Sequence, residues 1–286
     1  MMGLFYVAIS YAQSPTAFSG RQHCSTSNPA QIEAVPLRPF EVAARYPHDR
    51  NAFTQGLVFY QGELYESTGL RGRSSVRRLD LKSGRVLNKR HLNKALFGEG
   101  LAVLDRQLVQ LTWETGSALI YTPTDLHQVG SFTFQGEGWG STAVNNRLVI
   151  SDGSSWLRFF DRHDFRQVAS LQVTADGRPV EGLNELESVE GVIYANVYPS
   201  DCIAQIDARS GQVVGWIDLG GLMPLSERPQ RAAVANGIAY KPETGELFVT
   251  GKFWPYIYQL RLLKTEHPDK QAVARLAPVT MQNGGQ

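Results

Sequence analysis

From Phe40 onward, hydrophobic and polar residues alternate over short stretches, and turn residues separate one stretch from the next. The stretches GLVFYQGELYESTG and SSVRRLDLKSGRVL each predict two strands joined by a turn. Valine, leucine, tyrosine and threonine dominate them, and glycine or serine interrupts them. Helical periodicity is nearly absent. The pattern therefore predicts an all-β chain made of short antiparallel strands.

The same layout recurs about every 40–50 residues, a period typical of β-propellers with four strands in each unit. Five units are visible, and they start at Gly56, Gly100, Ser141, Leu186 and Gly237. An ordinary β-sandwich is the alternative, but its strands need no such regular period. We therefore predict a five-bladed β-propeller with four-stranded antiparallel blades.

The fifth unit lacks a fourth strand, because the chain becomes charged after Leu263. The segment PFEVAARYP, residues 39–47, precedes the first unit and can supply that strand. Strands from both termini would then close the ring and leave no exposed sheet edge. The predicted propeller spans residues 39–265. A flexible leader at 13–38, rich in Ser, Gln, Pro and Gly, precedes it, and a C-terminal tail at 266–286 follows it.

Residues 1–12 resemble the end of a secretory signal. An apolar run covers residues 4–9, and Ser10-Tyr11-Ala12 offers a cleavage pattern of small residues, although no basic residue precedes the run. The run is too short to span a bilayer. These features predict export to the periplasm or the cell exterior, with a disordered leader as the alternative.

Composition narrows the classes of function. The 286 residues carry a formal net charge of +1, which gives no strong field favouring nucleic acid or an anionic membrane. The arginine-rich stretch RGRSSVRR, residues 71–78, is interpreted as a solvated hairpin face. Cys24 and Cys202 are too few for a disulfide framework or a zinc site. One bridge between them is open if the protein is exported, but the apolar strand pattern CIAQI favours a free, buried Cys202.

Unusual polar or aromatic residues occupy the start of each unit. They are Gln55, Glu99, Trp139, the group Asn184, Glu185 and Glu187, and Asn236. In a propeller the innermost strands all start at the same end of the central channel. These side chains are therefore expected to converge on one mouth of the channel and to form a ligand pocket.

Each candidate also has a purely structural interpretation. Glu99, between two glycines, can serve a turn, and Asn184 can form an Asx-turn. Trp113 and Trp139 can belong to the core. The pattern places Lys252, in TGKFWP, in an otherwise apolar strand, where it must snorkel, pair with a carboxylate or face the channel.

Motifs of other enzyme classes are missing from the sequence. It contains no GxSxG nucleophile elbow, no phosphate-binding P-loop and no HExxH zinc motif. The six histidines never occur at metal-ligand spacing, and the stretches DRNAF and SDGSS do not match the ligand rhythm of a calcium-binding EF-hand loop. Serine-triad and zinc hydrolases are therefore disfavoured.

Nine stretches taken together resemble the glutaminyl-peptide cyclotransferases of the plant and bacterial type. They are YPHDRNAFTQGL, ESTGLRGRSSVR, FGEGL, LTW, GWG, SDGSS, LNELE, ANGIAY and TGKFWP, and the similarity covers roughly Tyr46 to Leu262. The resemblance implies a five-bladed propeller that converts an N-terminal glutamine of peptides or proteins to pyroglutamate and releases ammonia. It implies no catalytic metal, with a structural calcium ion possible. Peptides are the expected partners, without nucleic acid or membrane, and the expected state is a monomer.

The resemblance also implies roles for single residues. Glu99 matches the family's proton-shuttling glutamate, and Lys252 and Asn184 match residues placed at the substrate's γ-amide. The pocket-lining positions are matched by Gln55, Phe53, Phe97, Trp113 and Trp139. Tyr198 stands where the plant enzymes have tryptophan, which keeps the wall aromatic but adds a hydroxyl and leaves substrate preference open.

Two other classes of function compete with the cyclotransferase. A propeller hydrolase similar to calcium-dependent lactonases would need several oxygen ligands on one metal ion, and Glu99, Asn184 and Asn236 are the candidates. A non-enzymatic propeller that binds peptides would need no proton-transfer group at all.

Overall fold

The structure, a computed structural model, describes Cys24 and residues 35–263. Strands dominate this range, and its one helical element is the three-residue 3-10 helix Leu225–Glu227. None of the described helical structure is long and apolar enough to cross a membrane. The predicted signal at 1–12 and the tail at 266–286 lie outside the described residues. The strands are β1 (Phe40–Pro47), β2 (Thr54–Tyr60), β3 (Glu63–Thr68), β4 (Ser75–Leu79), β5 (Val86–His91), β6 (Gly98–Leu104), β7 (Gln107–Thr112), β8 (Ser117–Tyr121), β9 (Gln128–Thr133), β10 (Ser141–Val144), β11 (Arg147–Ile150), β12 (Trp156–Asp161), β13 (Gln167–Gln172), β14 (Thr174–Ala175), β15 (Arg178–Pro179), β16 (Leu183–Val189), β17 (Val192–Val197), β18 (Cys202–Asp207), β19 (Val213–Asp218), β20 (Ala235–Lys241), β21 (Glu246–Gly251) and β22 (Tyr256–Leu262).

Five four-stranded antiparallel sheets form the blades of a propeller, as predicted. Blades one to four are β2–β5, β6–β9, β10–β13 and β16–β19, each with its strands in chain order. Blade five combines β20, β21 and β22 with β1, which pairs with β22 from Phe40↔Leu262 to Pro47↔Tyr256. The predicted closure by strands from both termini is therefore confirmed. The short hairpin of β14 and β15 between blades three and four had no counterpart in the prediction.

The inner strands are mostly buried, and the outer strands of blades one, two, three and five are mostly exposed or half-buried, whereas the outer strand β19 of blade four is mostly buried. All residues but one are buried in β2, and the same holds for β6. Every residue of β5 and β9 is exposed or half-buried. The inner strands β2, β6, β10, β16 and β20 contact one another around the channel. Burial of their apolar side chains, at about 25 cal/mol for each Å² removed from water, holds the blades together.

The interpretation of RGRSSVRR as a solvated face is only partly right. Arg77 is buried and donates hydrogen bonds to Glu66 (2.8 Å) and to Asp49 (3.0 Å). Glu66 also accepts from His48 at 3.0 Å and from Thr54 at 2.7 Å. Burial would raise the pKa of Glu66, but the charges of Arg77 and His48 overcome it and hold that pKa at about 2. A buried ion network therefore joins the first three strands of blade one to the loop before it.

The expectation of a free Cys202 is wrong, because Cys202 is bonded to Cys24. Both cysteines are buried, and their sequence separation of 178 concealed their proximity. Just before β1 the chain runs beside β19, where the Arg38 N–H donates to the Trp216 carbonyl at 2.6 Å. The described parts of the predicted leader, Cys24 and residues 35–38, are thus both attached to blade four.

Candidate active site

Four of the predicted residues occupy the same place in different blades. Gln55, Glu99, Asn184 and Asn236 are each the second residue of an inner strand. In each of these strands the pairing register shifts at that point, between Thr54 and Gly56, Gly98 and Leu101, Leu183 and Leu186, and Ala235 and Ile238. Such bulges re-aim side chains beside functional sites. Here they bring these residues to one end of the channel.

Glu99 is the centre of the site. Its Oε1 accepts a hydrogen bond from Gln55 Nε2 at 2.7 Å, while its buried Oε2 has no hydrogen-bond partner among the described residues. Burial raises the pKa of Glu99 well above its ordinary value, and Glu137 adds to that rise, whereas Lys252 and the bond from Gln55 oppose it. Glu99 is therefore a carboxyl group that holds its proton more tightly than an ordinary carboxylate, with one oxygen free to exchange it.

Gln55 is itself fixed by the next blade around the ring. Its Oε1 accepts a hydrogen bond from Asn236 Nδ2 at 2.9 Å, and the same Nδ2 donates to the Thr54 carbonyl at 2.9 Å. The amide of Gln55 can therefore present only its nitrogen to Glu99. Asn236 was predicted at the channel mouth, and the structure shows that it orients the residue beside the central carboxyl group.

Lys252 interacts electrostatically with Glu99, and the sequence pattern placed it incorrectly. It does not belong to a strand but follows β21 directly, in the turn that leads to β22. Its Nζ lies 4.8 Å from the centre of the Phe53 ring and 5.2 Å from that of Tyr198. Burial lowers the pKa of Lys252 to about 8, and the charge of Glu99 opposes that shift. The ammonium group is therefore held by ring faces and attracted by Glu99.

Asn184 reaches the site through close packing of two blades. A Cβ atom on Gly140 would overlap the Asn184 carbonyl group, so only glycine permits this approach. Ser151 donates to the same carbonyl at 2.7 Å. The side-chain Oδ1 of Asn184 is buried without a hydrogen-bond partner among the described residues. An acceptor is thus presented to the pocket rather than used by the fold.

The aromatic residues form two walls. Phe97 contacts Phe53 and Trp113 edge-to-face, with ring centres 5.8 and 5.5 Å apart. On the other side Trp139 contacts Tyr198 edge-to-face at 5.9 Å. These rings provide an apolar enclosure whose shape is set by mutual packing.

Glu137 was missed by the sequence analysis. Its Oε2 accepts hydrogen bonds from the indole nitrogens of both Trp113 and Trp139, each at 2.8 Å. The two walls are therefore joined through one carboxylate. The only sequence signal was its position in FQGEGWG, two residues before Trp139.

Two further predicted residues turn away from the pocket. The carboxylate of Glu185 accepts from the backbone nitrogens of Leu57 (3.2 Å) and Ile238 (2.9 Å), and Glu187 accepts from that of Tyr240 at 2.8 Å. They connect blade four to blades one and five. No group of three or more His, Cys, Asp or Glu side chains within the described ranges is placed to hold a metal ion. The donor set therefore does not fit a calcium site of that kind, and the calcium ion stays a prediction.

Comparisons with known proteins support the predicted family and fold. The family model described as glutamine cyclotransferase matches residues 16–262. This chain belongs to the glutamine cyclotransferase family. Glutaminyl-peptide cyclotransferase of Arabidopsis thaliana is 40% identical over 230 residues, which cover 79% of this chain and 72% of the relative. The crystal structure of Myxococcus xanthus glutaminyl cyclase matches with a TM-score of 0.76 and 39% identity, over 81% of this chain and 100% of that one. The family resemblance and the five-bladed fold predicted from the sequence are both confirmed.

Proposed function

We propose that this protein is a glutaminyl-peptide cyclotransferase that converts the N-terminal glutamine of peptides or proteins to pyroglutamate. The observation that carries the proposal is that the buried Glu99 and Lys252 interact electrostatically at one site. One oxygen of a buried carboxyl group is free, and the charge of a buried ammonium group acts on that carboxyl group. Membership of the family and the likeness to two named cyclases support it.

Glu99 moves the proton. The neutral α-amine of the substrate attacks its own γ-carbonyl carbon, so a carbon–nitrogen bond forms while the amine loses a proton to Oε2 of Glu99. The protonated carboxyl group then gives that proton to the amide nitrogen, whose bond to carbon breaks, and ammonia leaves. A carboxyl group with a raised pKa serves both steps, because it takes up a proton more readily than an ordinary carboxylate and can then donate it to the leaving nitrogen.

Lys252 and Asn184 act on the γ-amide. Negative charge develops on the carbonyl oxygen during attack, and a fixed positive group stabilises it most where water is excluded. Lys252, with its pKa at about 8, is mostly protonated at neutral pH and supplies that charge. The unpaired Oδ1 of Asn184 accepts a hydrogen bond from the amide nitrogen and so orients the leaving group.

The aromatic walls hold the substrate in its folded conformer. Ring closure requires the glutamine side chain to bend back on its own amine, and freezing that conformer in advance lowers the entropic barrier. Phe53, Phe97, Trp113, Trp139 and Tyr198 enclose the pocket with ring surfaces that offer few competing hydrogen bonds. Their role in this proposal is to shape the substrate.

Mass spectrometry of a glutamine-initiated peptide incubated with the protein tests the function. Loss of one ammonia from the peptide is expected, and a peptide initiated by asparagine is the matched control. Hydrolysis of a lactone would instead favour the hydrolase, and tight binding without a mass change would favour a peptide-binding propeller.

We further propose that catalysis needs no metal ion, so that turnover survives a strong chelator. Loss of turnover on chelation, restored by calcium, would contradict this. A monomeric state is proposed as well, and light scattering at assay concentration tests it.

Export is the third part of the proposal. The Cys24–Cys202 bond supports it, because disulfides persist in oxidising compartments such as the periplasm or the cell exterior. Cell fractionation with sequencing of the mature N-terminus tests it. A cytosolic protein with an intact N-terminus and reduced cysteines would contradict it.

A further inference from the structure

One carboxylate joins the two halves of the pocket. Trp113 lies in the loop after β7 of blade two, and Trp139 lies in the loop before β10 of blade three. The indole nitrogens of both donate to the same oxygen of Glu137 at 2.8 Å. Hydrogen bonds to a charged acceptor are stronger than those between neutral groups. Neither ring can rotate without losing such a bond.

The position of Glu137 is itself held by the blade. Arg158, on β12, donates to the backbone carbonyl of Glu137 and to that of Gln135, and its Nε lies 3.4 Å from Asp152. The loop that carries Glu137 is thus tied to the strand beneath it. A fixed carboxylate in contact with two substrate-facing rings goes beyond what packing of a loop requires.

We propose that Glu137 is a positioning residue that sets the distance between the two tryptophan walls of the pocket. The inference rests on the proposed cyclisation, in which those walls hold the folded glutamine. The ionisable groups whose charges act on Glu99 are Lys252, which lowers its pKa, and Glu137, which raises it. Glu137 therefore acts on the reaction through other residues and does not touch the reacting atoms.

Two substitutions separate the geometric role from the effect of the charge of Glu137. Glu137→Gln keeps the length of the side chain and an oxygen that can accept both indoles, but it removes the charge. Glu137→Asp keeps the charge but is one methylene too short to reach both rings. Both changes are small enough for the propeller to fold.

The placement of the indoles is read by nuclear magnetic resonance without any turnover. The chain has five tryptophans, and the indole N–H signals of Trp113 and Trp139 are expected to shift in Glu137→Asp and to move much less in Glu137→Gln. Unchanged signals in Glu137→Asp would overturn the positioning role. Because this measurement needs no substrate, it stands even where the proposed cyclisation fails.

Kinetics then test the effect on the reaction. Glu137→Asp is expected to lower kcat/KM by up to about 10²-fold, the loss typical of misplacement by about 1 Å. Glu137→Gln is expected to move the acidic limb of the kcat–pH profile to lower pH, because Glu99 then loses its proton more readily. A wild-type profile in Glu137→Gln would contradict an effect of the Glu137 charge on Glu99.

Basic side chains cluster on the loops beside the wall that Phe53, Phe97 and Trp113 form. Arg71 lies over the Trp113 ring at 5.7 Å, donates to the Ala95 carbonyl at 3.3 Å and pairs with Glu114. Arg73 donates to the Asn51 carbonyl at 3.4 Å. These contacts bring together three loops that carry four exposed cations, here called the basic rim: Arg50, Arg71, Arg73 and Lys94.

The basic rim is only partly neutralised. Glu114 pairs with Arg71, but Arg50, Arg73 and Lys94 make no ion pair with any described residue. The nearby Asp49 is already engaged by the buried Arg77. We infer that the basic rim selects substrates with acidic residues after the N-terminal glutamine. In the proposed reaction the pocket binds the N-terminus of the peptide. The rest of the peptide chain then leaves the pocket past the basic rim.

Three peptides test this preference, with glutamine followed by two glutamates, two alanines or two lysines. At low salt kcat/KM is expected to be about 10-fold or more higher for the acidic peptide than for the basic one. The ratio should fall towards one in about 1 M salt, where the screening length is only about 3 Å. Lys94→Glu should lower the ratio, whereas Lys82→Glu, in the turn at the other end of β4, should not.

Equal rates for the three peptides would overturn the preference while leaving the cyclisation intact. Absence of turnover for all three would instead contradict the proposed function. In that case binding followed by tryptophan fluorescence still ranks the peptides, and equal affinities would overturn the preference by themselves.

Discussion

Gln55 of blade one donates a hydrogen bond from Nε2 to Oε1 of Glu99 in blade two, 2.7 Å away. The amide cannot turn around, because its own oxygen accepts from Asn236 of blade five. One oxygen of Glu99 is therefore committed to the protein and the other is available to a ligand. Contacts from three blades therefore leave Oε2 of Glu99 available as a proton acceptor.

Glu99→Gln should lower kcat by about 10²–10⁴-fold, the usual contribution of proton transfer by a positioned side chain. KM should change little, because glutamine keeps the size of the side chain and can accept the bond from Gln55. Ammonia release from a glutamine-initiated peptide measures this. Glu63→Gln, on a surface ion pair with Arg78, is the control and should behave as wild type. Wild-type turnover in Glu99→Gln would remove the mechanism.

Lys252→Met should lower kcat more than it raises KM, because the charge acts on the transition state while the apolar stem still fills the space beside Phe53 and Tyr198. The wild-type rate should also fall as the pH rises through about 8, where Lys252 loses its proton. That basic limb should be missing in the variant. An effect on KM alone would mean that Lys252 only binds substrate.

Gly140→Ala should impair both stability and activity, because the new methyl group would overlap the Asn184 carbonyl and push that strand away from the mouth. Gly130→Ala is the matched control, since its methyl group would meet only the Ile120 side chain at ordinary contact distance. Thermal unfolding and kcat/KM together test the pair. Equal behaviour of the two variants would show that the approach of blades three and four is not needed.

Glu66→Gln should destabilise the fold by about 3–5 kcal/mol, because removing one partner leaves the charges of Arg77 and His48 buried. The pKa of Glu66 is lowered from 4.5 to about 2, so its contribution to stability is present above pH 4.5 and is lost as the pH falls towards 2. Urea unfolding at several pH values measures both effects. Acid sensitivity in the variant as steep as in wild type would contradict the assignment.

Cys202→Ser should lower the free energy of unfolding by about 2–5 kcal/mol, the usual cost of removing a native disulfide. Cys24→Ser and the double variant should lose the same amount, because all three break the one bond. A reducing agent should destabilise the wild type and leave the variants unchanged. Unequal losses in the two single variants would indicate that one cysteine has another role.

The repeat pattern was sufficient to predict the blades, because each unit carries four short strands that begin with a buried inner strand. The pairing of β1 with β22 followed from a missing strand at one end and a spare one at the other. The Cys24–Cys202 bond did not follow, since nothing local in CIAQI reports that a distant segment runs back along blade four. The burial of Arg77 was equally hidden, because its partners lie in other strands and loops.

The sequence indicated which residues form the candidate site, but not how they are arranged in space. Resemblance indicated Glu99, Asn184 and Lys252, yet the register shifts that aim the first two into the channel are invisible in a hydrophobicity pattern. Lys252 was assigned to a strand because its neighbours are apolar. Glu137 was overlooked because its importance depends on two indoles that meet only after blades two and three have packed.

The closure of the ring by β1 and β22 has a consequence for synthesis of the protein. Gln55 follows β1 early in the chain, while Asn236 and Lys252 belong to the last blade, which β1 completes. While β22 is still inside the ribosome, blade five cannot join β1 to β21, and the pocket is therefore not assembled. We expect activity only once β22, the last strand within the described residues, has been made, so the order of translation should delay the chemistry until that point.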